Sequence, residues 1–296
     1  ALEYAFLKAL ANKEDKEVWQ LINNNSRKIP MPVGNAIGGG QHSSGKKPDF
    51  QEFHFIPEDN SFEQAVKVNK RARENCREIL KNLDSSFKEK INDEGAWQAS
   101  LDNEQIIEIM QDVKENMIDE FGCKIHIGID CASSEFFNHR SKNYIYKNKK
   151  ENLTRNGQIK KIISIAEGVF YIEDPLEQDD FQGFMEIKEK TKGLIVGDDL
   201  TATNYDRIAA ACKKSSLNAV IIKPNQIGSL MEVKKVVQFC RENKIKTIFS
   251  HRSGETSEDI LADLAFGFQA DFIKTGICGN GRDEKLNRLI EIERSL

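Results

Sequence analysis

Six predicted strands in the second half of the chain each end in an ionisable side chain. These residues are Asp130, Glu173, Asp198, Lys223, His251 and Lys274. The intervals between them are 43, 25, 25, 28 and 23 residues, so most recur once per strand-and-helix unit. The carboxyl ends of barrel strands converge on one mouth, where barrel enzymes place their active sites. We therefore expect one shared site; a structural ring of salt bridges is the alternative, although buried charges are costly unless they are paired or bind metal.

The acidic members of this set lie on three successive strands and offer only oxygen ligands. Asp130, Glu173 and Asp198 therefore suit Mg²⁺ better than a softer metal. Lys223 ends the next strand and cannot bind a metal while it is protonated, so a role as a base or an anion contact is expected. Neighbouring cations would disfavour its ammonium form and make the amine a usable base.

Residues 250–256 read Ser-His-Arg-Ser-Gly-Glu-Thr and follow a predicted strand directly. His251, Arg252 and Ser253 would bring an imidazole, a guanidinium and a hydroxyl together, which is an anion-binding arrangement. A helix beginning near Ser257 would add free backbone N–H groups and the positive end of its dipole. A capped loop without a ligand is the alternative interpretation.

The elements that position these residues alternate strictly between strand and helix, which predicts a parallel sheet. The six strands are predicted at 125–130, 169–174, 194–199, 219–223, 247–251 and 272–274. Helices are predicted at 159–166, 181–189, 205–212, 231–240, 260–268 and 284–292. Two earlier strands, 31–37 and 51–56, and two earlier helices, 62–83 and 106–121, precede this series. Eight strands in total are the number that closes a barrel.

The remaining sequence predicts one barrel domain over 31–296, preceded by a helical lead-in over 1–30. Hydrophobic residues make up 39% and charged residues 30% of the 296 residues, and no apolar run approaches the roughly 20 residues of a membrane helix. The net charge of −4 gives no bias toward polyanions, so nucleic acid is not an expected partner. The basic segment 142–150 is interpreted as a solvated hairpin or loop. Scattered cysteines without a CxxC pair favour reduced thiols and a cytoplasmic location.

Seven strings along the chain resemble the enolase (phosphopyruvate hydratase) family in order and spacing. They are QEF at 51–53, IDCASSEF at 129–136, IEDP at 172–175, GDDLT at 197–201, KPNQIG at 223–228, SHRSGET at 250–256 and IKTG at 273–276. The resemblance runs from about residue 30 to the last residue, and its final two strings are highly specific. It implies the enolase-type TIM (β/α)₈ barrel, an α/β fold with an irregular ββαα start followed by (βα)₆.

The resemblance also implies a reaction, the reversible dehydration of 2-phospho-D-glycerate to phosphoenolpyruvate in glycolysis and gluconeogenesis. Asp130, Glu173 and Asp198 match the ligands of the Mg²⁺ that chelates the substrate carboxylate. Lys223 matches the base that removes the proton from carbon 2. Lys274 matches a second lysine that contacts the same carboxylate.

The other matched residues surround the leaving hydroxyl and the phosphate. Glu94 matches the acid that helps the 3-hydroxyl leave, with Glu52 beside it. Contacts to the substrate are implied for His42, Gln51, His251, Arg252, Ser253 and Lys274. Taken singly, Glu94, Glu52 and His42 could be ordinary loop or surface residues. Three further histidines, His54, His126 and His139, have no partner in the sequence and are interpreted as structural.

Enolases carry an N-terminal domain before the barrel, and we expect this chain to lack it. That domain supplies a mobile loop whose serine binds a second, catalytic Mg²⁺. A truncated polypeptide, a separately encoded domain and a lineage that lost it remain alternatives. The chain alone is expected to bind one Mg²⁺ but to turn over poorly, and a companion N-terminal chain added in trans should restore the rate. A homo-oligomer, dimeric or higher, is also expected.

Two other functions remain open at this point. The first is another lyase or racemase of the same superfamily that acts on a different carboxylate. The second is a catalytically idle scaffold that binds another macromolecule. Replacing Lys223 by alanine separates the scaffold from an enzyme, because a scaffold has no turnover to lose.

Overall fold

The computed structural model describes all 296 residues of the chain. The strands are β1 (Met31–Gly38), β2 (Glu52–Glu58), β3 (Trp97–Gln98), β4 (Lys124–Asp130), β5 (Phe137–Asn138), β6 (Asn143–Tyr146), β7 (Glu151–Thr154), β8 (Tyr171–Glu173), β9 (Leu194–Gly197), β10 (Ala219–Ile222), β11 (Lys246–Ser250) and β12 (Phe272–Lys274). The helices are α1 (Leu2–Glu14), α2 (Val18–Asn23), α3 (Phe62–Leu83), α4 (Asn103–Phe121), α5 (Arg155–Ile165), α6 (Phe181–Lys188), α7 (Tyr205–Lys213), α8 (Pro224–Ile227), α9 (Leu230–Glu242), α10 (Ile260–Gly267) and α11 (Asp283–Ser295).

Eight of these strands form a closed barrel in the order β1, β2, β4, β8, β9, β10, β11, β12. Parallel pairing of β12 with β1 closes the ring, and β3 adds a short ninth strand beside β1. Strand β2 runs antiparallel to both β1 and β4, whereas the later neighbours are parallel. The predicted α/β barrel with a ββαα start and six following βα units is therefore confirmed.

Alternation of side chains decides what faces the interior of the barrel. On β2, Ile56 joins a nine-residue apolar cluster drawn from the barrel strands, whereas Phe53 and Phe55 pack into the larger core between strands and helices. Because successive residues of a strand point to opposite faces, Glu52 and His54 share the inward face with Ile56. The floor of the barrel is thus apolar, and its polar residues lie toward the carboxyl ends of the strands.

The outer layer is formed by helices with one apolar face. Helix α3 begins where the Ser61 hydroxyl accepts a hydrogen bond from the Gln64 amide at 3.3 Å, a side-chain N-cap. Helix α4 ends at Gly122, whose φ of 65° is readily adopted by glycine. Burial of each large apolar side chain on these faces contributes about 1.5–3 kcal/mol, which holds the helices against the barrel.

Helix α2 packs on α10 at the outside of the barrel, and α1 packs on α2. The Trp19 ring meets Phe266 edge to face with centroids 5.0 Å apart, and the Ser26 hydroxyl donates to the Gly267 carbonyl at 3.1 Å. The Trp19 amide also donates to Asp263 at 3.3 Å. The division into a lead-in over 1–30 and a barrel domain over 31–296 stays a prediction.

The basic segment 142–150 belongs to a small antiparallel sheet of β5, β6 and β7. The predicted hairpin is present and its lysines are exposed, but it is not solvated on both faces, because Tyr144 and Tyr146 are buried on one face. Lys149 pairs with Glu104 at 3.0 Å, so part of the basic charge is neutralised by the start of α4. All six cysteines are free thiols, and none of the helices combines the length and the apolar character that crossing a membrane requires.

Candidate active site

The carboxyl ends of the barrel strands surround a polar cavity of about 330 Å³. Every predicted site residue except Glu173 lines it: His42, Gln51, Glu52, Glu94, Asp130, Asp198, Lys223, His251, Arg252, Ser253 and Lys274. Glu173 is fully buried, lies in register with Asp130 and contacts Lys274. The structure thus brings the predicted residues together at one mouth, and the alternation of strand and helix is what delivers them there.

Strand register places three carboxylates in one row across the barrel wall. Glu52 lies opposite Asp130, and Asp130 lies opposite Glu173. The Nζ atom of Lys274 reaches all three, at 3.2 Å from Glu52, 3.1 Å from Asp130 and 2.9 Å from Glu173. We call Glu52, Asp130 and Glu173 the carboxylate row.

Burial and charge act differently on the members of this row. Burial would raise the pKa of Glu52, but the Lys274 charge and a hydrogen bond from His54 outweigh it and hold that pKa well below its usual range. Burial, followed by the charge of Asp130, raises the pKa of Glu173 well above its usual range. For Lys274, burial is outweighed by the surrounding carboxylates, which raise its pKa and keep it protonated.

Lys223 lies across the ring from β2, since β10 is four strands away in a barrel of eight. Its Nζ atom donates a hydrogen bond to Asp198 Oδ2. Burial lowers the pKa of Lys223, but the Asp198 charge outweighs it and the net shift is upward. The expectation that neighbouring cations depress this pKa is therefore wrong for the protein as it stands, because a carboxylate and not a cation is the nearest charged partner.

Glu94 faces the cavity from the loop between α3 and β3. It accepts a hydrogen bond from the Asn35 amide at 3.1 Å and lies 3.6 Å from His251 Nε2. Burial, and then the negative charge of Glu52, raise the pKa of Glu94 to about 7. Two neighbouring glutamates therefore have pKa values shifted in opposite directions, an arrangement that separates an acid from an ionised carboxylate.

This shift predicts a pH-dependent contribution to stability. The folded state retains the Glu94 proton while the unfolded state releases it near the ordinary glutamate pKa of 4.5, so stability falls as pH rises from 4.5 to about 7. The difference corresponds to about 3 kcal/mol at 1.36 kcal/mol per pKa unit. Glu94→Gln should remove it, so the variant should gain about 2–3 kcal/mol over wild type between about pH 5 and pH 8.

Urea unfolding at several pH values measures this gain. Exposed Glu189→Gln serves as the matched control and should follow the wild-type pH dependence. If the difference in unfolding free energy between Glu94→Gln and wild type stays constant with pH, the raised pKa of Glu94 is wrong.

His42 and His251, the two histidines that line the cavity, have pKa values shifted in opposite directions. For His42, burial is outweighed by the charges of Glu94 and Glu52, so its pKa is raised. Burial, assisted by the Arg282 charge, lowers the pKa of His251 well below its usual range. His42 is thus suited to contact an anion, and His251 is a neutral imidazole.

Residues 251–256, for which anion binding is predicted, form a loop after β11 that is exposed at residues 252–254. Arg252 and Ser253 point their side chains toward solvent at the cavity rim, and the Ser253 carbonyl accepts a hydrogen bond from Arg282 at 3.0 Å. Glu255 of the same loop forms a salt bridge of 2.9 Å with Lys285, a buried residue of α11. The helix that was expected near Ser257 begins only at Ile260, so its N-terminus lies further from Arg252 than the sequence suggested.

Groups that could hold a metal occur at two places in the cavity. Sets of three ligand atoms within 4.8 Å of one another are formed by Asp174, Asp198 and Asp199, and by His42, Glu52 and Glu94. The predicted triad Asp130, Glu173 and Asp198 is not such a set. Each of its members accepts a hydrogen bond from a lysine, Lys223 for Asp198 and Lys274 for Asp130 and Glu173.

The charge balance nevertheless fits a divalent cation near the predicted triad. Burial is the largest cause of the raised pKa values of Glu173, Asp174 and Asp199, and the next cause is a neighbouring carboxylate. Lys223 and Lys274 therefore do not balance all the carboxylates, and the site can accept further positive charge. Both oxygens of Asp174 already accept backbone hydrogen bonds, from Asp198 at 3.1 Å and Asp199 at 2.6 Å.

Four residues of the site were missed at the sequence level. His54 was interpreted as structural without a partner, yet its Nε2 atom lies 2.9 Å from Glu52 Oε2. Tyr171 donates to Glu173 Oε2 at 2.5 Å, and Asp174 and Asp199 join the acidic wall. His54 lies two residues from Glu52, and Tyr171 lies two residues from Glu173. Residues two apart on a strand point to the same face, so this spacing indicates that both side chains face the interior of the barrel.

The other two histidines lie away from the cavity. His126 stacks on Phe170 with ring centroids 4.2 Å apart and contacts Glu58 at 3.1 Å. His139 lies edge to face against Phe137 in the small sheet. Neither lines the polar cavity.

Comparison with known proteins identifies the family. The model of the enolase C-terminal TIM barrel domain matches residues 26–296. The enolase of Picrophilus torridus is 39% identical over 300 residues, which cover 100% of this chain and 74% of that protein. The enolases of Methanosphaera stadtmanae and Methanothermobacter thermautotrophicus are 36% and 35% identical, each over 100% of this chain and 73% of the relative. On the strength of the barrel, its strand-end residues and these matches, the chain belongs to the enolase family.

Proposed function

We propose that this chain catalyses the reversible dehydration of 2-phospho-D-glycerate to phosphoenolpyruvate with Mg²⁺. The observation that carries the proposal is the placement of Lys223 and Glu94 in the same cavity, on strands and loops from opposite parts of the ring. Dehydration next to a carboxylate needs a base for the carbon-2 proton and an acid for the departing 3-hydroxyl. A lysine and a glutamate with a pKa of about 7 supply both.

In this proposal, Lys223 receives the carbon-2 proton on Nζ. The ammonium group that donates to Asp198 has no lone pair, so Lys223 must first release one proton to solvent and become a neutral amine before it can accept the carbon-2 proton. Glu94, protonated below about pH 7, donates its proton to the leaving hydroxyl. Glu52 remains ionised beside it, because Lys274 and His54 hold its pKa low.

Asp130, Glu173 and Asp198 would hold the Mg²⁺, for which carboxylate oxygens are preferred ligands. When bound, the ion supplies positive charge that stabilises the carboxylate-derived dianion formed after proton removal. Lys274 is protonated in the middle of the carboxylate row and adds a second positive charge on the same side.

The phosphate group would be bound at the rim of the cavity. Arg252 offers a guanidinium whose only side-chain partner is Asn225, at 3.4 Å, so its remaining donors are free for an anion. Ser253 and His42 flank it, and Gln51 and His251 would complete the substrate contacts. A guanidinium is suited to phosphate because its planar donors bind two oxygens at once.

The direct test is formation of phosphoenolpyruvate, followed by its ultraviolet absorbance. The chain is assayed with Mg²⁺, alone and with the part of the Picrophilus torridus enolase that it does not match. Turnover of 2-phosphoglycerate under either condition supports the proposal. Turnover confined to other carboxylates would favour a different lyase or racemase, and none in either condition would favour a binding scaffold.

Two expectations from the resemblance accompany this proposal. A homo-oligomer is predicted, and sedimentation of the purified chain tests it. A cytoplasmic location is likewise predicted, and fractionation of cells that express the chain tests it.

A further inference from the structure

Beneath the carboxylate row, strand register forms a second row one layer deeper in the barrel. His54 lies opposite Gly128, and Gly128 lies opposite Tyr171. Each of these residues is two positions from a member of the carboxylate row on the same strand, so its side chain shares the inward face. We call His54, Gly128 and Tyr171 the support row.

The support row provides one hydrogen-bond donor to each outer carboxylate. His54 Nε2 lies 2.9 Å from Glu52 Oε2, and the Tyr171 hydroxyl donates to Glu173 Oε2 at 2.5 Å. Both support side chains are fully buried. Neutral imidazole carries one proton, and His54 Nδ1 has no hydrogen-bond partner, so the proton belongs on Nε2, where it meets the carboxylate.

Glycine at position 128 makes this arrangement sterically feasible. A Cβ atom there would lie 3.1 Å from Tyr171 Cβ and 3.3 Å from His54 Cβ, closer than ordinary van der Waals contact. Without it, the two rings meet edge to face with centroids 5.6 Å apart and an interplanar angle of 89°. The two donors are therefore fixed by each other as well as by their strands.

The central member of the carboxylate row is fixed by a different group. Asp130 Oδ1 accepts a hydrogen bond from the Ala132 amide at 3.0 Å, while its Oδ2 faces Lys274. The two oxygens of Glu52 likewise have different partners: Oε1 faces Lys274 and Oε2 faces His54. Lys274 contacts one oxygen of Glu52 and one of Asp130, so other groups must fix the rotation of these two carboxylates. It contacts both oxygens of Glu173, where Tyr171 adds a donor to Oε2 alone.

We propose that His54 and Tyr171 are positioning residues, which orient Glu52 for chemistry and Glu173 for metal binding from beneath the active site. The inference rests on the proposed function for its kinetic consequence. Outer-shell partners of this kind typically change metal affinity or activity by about 10–100-fold when they are lost. The two residues act on different carboxylates, so their losses should be distinguishable.

Tyr171→Phe removes only the hydroxyl oxygen from the support row. We expect it to weaken Mg²⁺ binding about 10-fold in calorimetric titration with Mg²⁺ alone, because Glu173 loses its fixed orientation. His54→Leu should leave Mg²⁺ affinity unchanged and lower kcat about 10-fold at nearly constant KM, because Glu52 is not a proposed metal ligand. His54→Gln retains an amide N–H that can reach Glu52, and it should restore most of kcat.

Thermal melting of each metal-free variant separates positioning from folding. If His54→Gln is as impaired as His54→Leu at equal melting temperature, the donor role of His54 is wrong. Wild-type Mg²⁺ affinity in Tyr171→Phe overturns the role of Tyr171. Neither the calorimetry nor the melting requires turnover, so the Tyr171 result stands even if 2-phosphoglycerate is not the substrate.

A ¹⁵N NMR spectrum of the labelled wild-type chain tests the His54 contact without activity. The His54 ring, assigned by the signals lost in His54→Gln, should be neutral with its proton on Nε2. Glu52→Gln should shift these signals. A proton on Nδ1, or a ring insensitive to Glu52→Gln, would overturn the proposed hydrogen bond whatever the substrate of the chain.

Discussion

Lys223→Ala is expected to lower turnover of 2-phosphoglycerate by about 10²–10⁴-fold, the usual contribution of a positioned general base. The adjacent strands β9 and β11 lead into Asp198 and His251, so no second lysine lies on that wall of the cavity. Mg²⁺ affinity should be retained or increased, because the substitution frees Asp198 Oδ2 from its hydrogen bond with the lysine. Loss of turnover with intact metal binding is the signature of a missing base.

A matched control shows whether the loss of a lysine charge outside the cavity affects turnover. Lys234 on α9 is exposed, and Lys234→Ala should turn over like the wild type. Initial rates and calorimetric Mg²⁺ titrations of both variants complete the comparison. If Lys223→Ala keeps wild-type turnover, the assignment of the base is wrong.

Glu173→Gln is expected to reduce Mg²⁺ affinity by more than the roughly 10–100-fold that loss of an outer-shell partner costs. Glu173 is fully buried and accepts hydrogen bonds from Lys274 and Tyr171, both of which a glutamine oxygen can also accept. The substitution therefore preserves much of the packing while it removes a carboxyl group whose ionised form is disfavoured by burial and by the Asp130 charge. The metal-free variant should melt higher than metal-free wild type, because like charges in the cavity repel.

Melting curves with and without Mg²⁺ test both halves of this prediction. Wild type should be stabilised by added Mg²⁺ according to the ratio of its concentration to Kd, whereas Glu173→Gln should gain far less. Glu189→Gln, on an exposed residue after α6, should behave like wild type. An unchanged Mg²⁺-induced stabilisation in Glu173→Gln would remove Glu173 from the metal site.

The barrel could be predicted because its strands are short apolar runs that end in charged residues. The structure places β12 at Phe272–Lys274, as predicted, and β10 ends at Ile222, one residue before the predicted end at Lys223. These ends matter most, because they put the ionisable side chains at one mouth. Periodicity reports such local preferences well, since it reflects burial of one face.

Contacts across the barrel were harder to predict, because they depend on register between strands that are distant in sequence. The predicted downward shift of the Lys223 pKa is wrong, because the nearest charge is that of Asp198, which is 25 residues away in sequence. The buried face of the basic segment was missed because Tyr144 and Tyr146 find their aromatic partners on other elements, Phe136 and Phe50. The support residue His54 could have been found, since its spacing from Glu52 is visible in the sequence.

The central claim is that Lys223 removes the carbon-2 proton of 2-phosphoglycerate in a cavity that also binds Mg²⁺. The most direct measurement is exchange of that hydrogen for deuterium in D₂O with Mg²⁺, followed by proton NMR of the remaining substrate. The account predicts loss of the carbon-2 signal with wild type and with Glu94→Gln, which retains the base, and none with Lys223→Ala. Equal exchange by wild type and Lys223→Ala, or no exchange and no phosphoenolpyruvate with wild type, would contradict it.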